Sequence, residues 1–160
     1  MPIWVYVVIG LVIVLLVLLT FRRNVPVTHS AATAYDADFR SIAASVEPGL
    51  EALRQAIRAG AEQDVSRAAI DARSRVHAAI NSLDRLEVRA TVGESAELIE
   101  EVKTELRRAM ECYEWGARIA ESTEFLENAG LRRAFETLTA QGDQLNTQAR
   151  VDLAGVGVGA

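Results

Sequence analysis

Two histidines, one cysteine and a run of glutamates are the residues of this chain most able to do chemistry. Position for position they make no recognised constellation. The residue three before His77 is Ser74, and the residue three before His29 is Pro26. Neither histidine therefore makes the Glu-x-x-His pair that di-iron helical bundles require. No cluster of His and Cys with zinc-ligand spacing is present, nor a Cys-x-x-Cys-His for covalent haem. Cys112 would need a histidine to activate it and a third group to orient that histidine. His77 could approach it from a neighbouring helix, but no Asn or Asp orienter accompanies the pair, so Cys112 reads as a structural thiol. Glu94, Glu97, Glu100, Glu101 and Glu105 could hold a cation or a basic partner. At the start of a helix they are more simply the match to its positive dipole end, on a solvated face. The final run GVGVGA follows no strand and opens no helix, so it is not a phosphate cradle. The sequence thus predicts no catalytic residue, no metal ligand and no cofactor.

A second kind of chemistry is docking. Cys112, Trp115, Ile119 and Leu126 make an apolar stripe beside the Tyr113, Ala117 and Ala120 positions of the same helix. That arc is wider than a four-helix core needs. Either Trp115 packs over the turn between the first two bundle helices, or the stripe receives a partner helix or a second copy, with Trp115 as its anchor.

The elements that position these residues follow from periodicity. Four segments repeat apolar residues at steps of three and four. The first covers about Ala34 to Ala59, with Phe39, Ile42/Ala43, Val46, Leu50, Leu53 and Ile57, and ends at Gly60. Pro48 removes a backbone donor inside it, which predicts a kink or short break near Val46. The second covers about Asp64 to Arg89, with Val65, Ala69, Ala72, Val76, Ile80, Leu83 and Leu86. The third begins near Glu94 behind the capping-box spacing of Thr91-Val-Gly-Glu94. It carries Ile99, Val102, Leu106, Ala109/Met110, Tyr113, Ala117 and Ala120, and ends near Ser122 or runs on to Glu127. The fourth covers about Ala129 to Leu153, with Asn128 as its cap and Leu131, Phe135, Leu138, Gly142, Leu145 and Ala149 on its stripe. Gly142 there implies a close helix contact or a weak point. The fold class is all-α: four long helices on short breaks are expected to run up and down as an antiparallel four-helix bundle over residues 34–153, with 24–33 as linker and 154–160 as a flexible tail.

Before the linker, Ile3 to Phe21 contains no charged residue and spans roughly 28 Å as a helix, a bilayer's hydrocarbon thickness. Residues 1–23 therefore read as a transmembrane anchor. Trp4 and Tyr6 suit one headgroup layer, and Arg22 and Arg23 close the other end. The positive-inside bias places the bundle in the cytoplasm and Met1 outside, making a single-pass cell membrane protein. A cleaved signal peptide fits worse, because a basic segment before the run is missing and the run is too long.

Arg22 and Arg23 are the only charged side chains before Ser30, so the rest carries 15 basic against 22 acidic residues. An acidic domain lacks the clustered cations that phosphate backbones attract, which argues against nucleic acid as partner. It is also repelled by an anionic leaflet, so it should stand off the membrane. With one cysteine no intrachain disulfide forms.

A membrane span followed by a bundle of long helices, with Pro48-Gly49-Leu50 in the first of them, resembles the LemA family. The resemblance is one of architecture and brings no functional residue across. The functional expectation is a non-enzymatic adaptor, scaffold or structural component acting through protein contacts or self-association. The alternative is an extracytoplasmic sensory or ligand-binding bundle.

Overall fold

The computed structural model describes residues 29–86 and 94–158. They form four α-helices: α1 His29–Ala59, α2 Glu62–Arg85, α3 Glu94–Ala120 and α4 Ala129–Val158. The expected span Ile3 to Phe21, its flanking arginines and the Thr91 cap lie outside the described residues. Among the described residues, no helix is long and apolar enough to cross a membrane.

Each helix buries one stripe, and the stripes share one core. On α3 every position expected from the sequence is buried, from Ile99 through Tyr113 to Ala120. On α2 the register differs slightly: Ala79 is buried, while Ile80 is half-buried. On α4 the deep positions are Phe135, Thr139, Gly142, Ala149 and Leu153, while Leu131, Leu138 and Leu145 are half-buried. Thr139 is buried because its hydroxyl donates 2.9 Å back to the Phe135 carbonyl, which satisfies it within its own helix.

The helices pair antiparallel in chain order. Between α2 and α3, Arg73 meets Glu121, Arg107 meets Asp84, and Lys103 Nζ donates 2.9 Å to the Leu86 carbonyl. Between α3 and α4, Tyr113 meets Asp143, and Gly116 lies against Thr139 and Phe135. The α3–α4 seam is the most extensive, and α1–α4 is the thinnest of the four lateral seams. Arg54 of α1 bridges that thin seam, donating 2.9 Å to Asp143 Oδ2.

Small residues set the close approaches. A Cβ on Gly142 would lie 2.5 Å from Tyr113 Cε1, so the expected close contact is the Tyr113 ring of α3. A Cβ on Gly49 would lie 2.6 Å from Arg75 Cδ and 3.1 Å from Ala72 Cα. Pro48-Gly49 is thus where α1 and α2 touch backbone to backbone. α1 runs through Pro48 as one helix of 31 residues, with no break.

The helix ends correct several expected boundaries. α1 is helical from His29, so His29–Thr33, expected as the end of the 24–33 linker, belong to the helix. It stops at Gly60, whose φ of 72° suits a residue without Cβ and whose N–H donates 3.0 Å to the Ala56 carbonyl. α2 starts two residues before Asp64, behind Ala61, which provides no side-chain cap. α3 ends at Ala120, and residues 121–127 form turns. Asn128 caps α4, its Oδ1 accepting from the Gly130 N–H at 2.9 Å and the Leu131 N–H at 3.3 Å. α4 then continues through Gly155 and Gly157 to Val158, where a flexible tail was expected.

Candidate docking surface

The four residues of the expected stripe fall in different surroundings. Trp115 is 57% exposed on α3. Arg118, one turn on, lies over its indole with Cζ 5.1 Å from the ring centroid, a cation–π contact that holds the ring on the surface. The same guanidinium reaches Glu114 at 3.4 Å, and Glu114 also lies 3.7 Å from His77 Nδ1. Ile119 and Leu126 are half-buried against the core. Cys112 is half-buried too, and loss of solvent followed by the neighbouring Glu111 charge pushes its thiol pKa up. A thiol held protonated is a poor nucleophile.

Leu126 is drawn away from the other three. It lines a cleft of about 590 Å³ at the end of the bundle where α2 begins and α3 stops. The first three turns of α2 supply Glu62, Val65, Arg67 and Ile70 to one wall. The end of α3 and the turn after it supply Glu121, Ser122, Thr123, Phe125 and Leu126 to the other. Neither Cys112, Trp115 nor Ile119 lines it. Phe125 forms its floor: it is 1% exposed and meets Phe135 edge to face at 5.7 Å. At the mouth Ile70 is 52% exposed. Glu121 accepts 2.8 Å from Arg73 through Oε2, while its buried Oε1 has no partner among the described residues.

No family model, no curated protein and no solved structure matches this chain. The likeness to the LemA family therefore rests on architecture alone.

Two other polar groups, Tyr113 and Glu105, lie away from the cleft. Tyr113 is buried and donates 2.8 Å to Asp143 Oδ1; burial first, then the Asp143 hydrogen bond and charge, hold its phenol far above the ordinary range. It joins α3 to α4 and, through Asp143 and Arg54, to α1. Glu105 has a buried Oε2 without a partner among the described residues, and desolvation followed by the charges of Asp152 and Glu101 raises its pKa. Among the described residues, no group of three or more His, Cys, Asp or Glu is arranged to hold a metal ion.

The cleft was not legible in the sequence. Ile70 stands off the α2 stripe, and that misplaced apolar residue was the one available signal. The wall facing it comes from a turn with no periodicity to read.

Proposed function

We propose that the chain is a membrane-anchored helical bundle that works without catalysis, as an adaptor or scaffold docking protein on its helix faces. In this reading Ile3 to Phe21 crosses the bilayer, Arg22 and Arg23 sit on the cytoplasmic side, and the bundle lies in the cytoplasm clear of the anionic leaflet. Its partner is protein rather than nucleic acid, since the domain's charge is acidic.

The observation that carries the reading is Trp115. A tryptophan more than half exposed, braced by an arginine over its face, is an apolar surface held ready at no benefit to the core. Tryptophan and arginine are the residues most enriched where binding energy concentrates in protein interfaces.

The test is a photo-crosslinking amino acid at position 115 of the full chain in its own cells. One discrete adduct is expected, absent when the same group replaces the exposed Arg108. Irradiation that yields no adduct at 115, or the same smear at both positions, sinks the reading. A compartment-sensitive reporter after Ala160 tests the location. A signal from outside the cytoplasm would turn the reading towards the extracytoplasmic sensory bundle.

A further inference from the structure

We propose that His77, Glu114 and Arg118 form a pH-sensitive catch on Trp115: charging His77 draws Glu114 off Arg118 and uncovers the indole face beneath the guanidinium. This rests on the docking reading above for what that face serves, and it names how the face is regulated. Two groups compete for one oxygen. Arg118 Nη2 reaches Glu114 Oε1 at 3.4 Å from the next turn of α3, and His77 Nδ1 reaches the same oxygen at 3.7 Å from α2. Both contacts are longer than the roughly 2.7–2.9 Å of a charge-assisted bond, so the oxygen is committed to neither.

Histidine is the side chain that ordinarily changes charge between about pH 5 and 8. While neutral, His77 is a weak rival for a carboxylate, and Arg118 keeps it. Once charged, its Nδ1–H is a charge-assisted donor that pulls the carboxylate towards α2. The new charge also repels the guanidinium. Arg118 then loses the anchor that sets its Cζ 5.1 Å from the ring centroid. A cation over an exposed ring holds only weakly by itself, so the indole face opens.

The other charges near His77 are already paired. Arg73, one turn before it on α2, donates to Glu121 at 2.8 Å. Further along the α2–α3 seam, Arg107 spans Asp84 at 2.9 Å and Glu111 at 3.3 Å. α1 packs on the other flank of α2, where Gly49 meets Ala72 and Arg75. Arg75 is itself held by Asp71 at 2.8 Å. Among the described residues, α4 makes no seam with α2. Glu114 is therefore the group that answers to His77. The imidazole is 59% exposed and takes its proton from open solvent, while the Glu114 side chain is 16% exposed and moves between fixed neighbours.

The test uses the full chain in nanodiscs of zwitterionic phospholipid, with Trp4→Phe to leave Trp115 as the one tryptophan. Acrylamide, a neutral quencher, is titrated from pH 8 to pH 5, and quenching constants are taken from fluorescence lifetimes. Exposed ion pairs shift balances of this kind by up to about fivefold, so the ratio of uncovered to covered ring should rise by up to that factor on acidification. The constant should therefore climb as pH falls, along a single-proton curve. His77→Gln should hold it at the pH 8 level throughout, and His29→Gln should behave as the parent. Glu114→Gln should hold it at the acid level throughout, since Arg118 then lacks a charged acceptor.

A constant that is flat or falls on acidification overturns the proposal. So does a rise that survives His77→Gln, or a pH dependence that survives Glu114→Gln. A flat constant with a specific adduct still formed at position 115 removes the catch and leaves the adaptor reading standing. A pH-dependent constant without that adduct keeps the catch and removes the adaptor reading.

Discussion

Replacing Gly142 with alanine sets two effects against each other, and the structure decides which wins. Alanine is favoured over glycine inside a helix by about 1 kcal/mol. Its Cβ would lie 2.5, 2.8 and 3.0 Å from Cε1, Cδ1 and Cζ of Tyr113, where carbon contacts normally open to about 3.5 Å. That ring cannot step aside freely. It is 2% exposed, fixed to α3 at one end and hydrogen-bonded to Asp143 at the other. Overpacking of this kind costs about 1–3 kcal/mol. Pulling the phenol off a charged acceptor costs about 1.5–3 kcal/mol more. The net is a destabilisation of about 3 kcal/mol, or a fall in melting midpoint of about 10 °C. Thermal melts of the full chain followed by far-UV circular dichroism read this directly. In a Tyr113→Phe background the ring is untethered, so the penalty should shrink by about the hydrogen-bond share, 1.5 kcal/mol or more. A Gly142→Ala protein that melts at or above the parent would refute the reasoning, since propensity would then outweigh the contact.

Other perturbations follow from single features. Gly60→Ala meets no atom within 4 Å yet forces a Cβ onto a φ of 72°, so chemical denaturation should show a loss of about 1 kcal/mol. Glu105→Gln should raise the melting midpoint at neutral pH. The folded pKa of Glu105 lies above its ordinary 4.5, so folding favours the protonated form and the ionised form is a burden above that pH. The advantage of glutamine should therefore fade as pH drops towards about 4.5, and a benefit that grew on acidification would contradict the assignment.

What the sequence made legible was the regular part of the molecule. The α3 stripe is read without error because seven successive positions keep helical spacing and all of them are apolar. Errors arise where that rule stops applying. Phe125 belongs to the core but sits in a turn, where no period announces it. Thr139 is buried in spite of its hydroxyl, because the helix behind it accepts the proton. Ala79 takes the buried position and Ile80 the half-buried one beside it, a one-residue shift that an apolar side chain at both places leaves open. His29–Thr33 read as a break because Pro26 and a lack of charge resemble a linker, yet nothing in HSAAT forbids helix. The cleft combines α2 with a turn some fifty positions later in the chain, and spacing within one helix cannot report such a juxtaposition.

The antiparallel pairing of α1 with α2 has a mechanical consequence. The cleft opens beside Gly60, where α1 hands over to α2, while His29 lies at the other end of α1. A load drawn on the chain entering at His29 against the rest of the bundle therefore runs along the axis of α1. Such a load shears the α1–α2 seam and does not peel it open. Peeling breaks contacts one turn at a time; shear must drag the whole apolar stripe past its neighbour at once. The interlock of Gly49 with Ala72 and Arg75 stands across that sliding direction like a pawl.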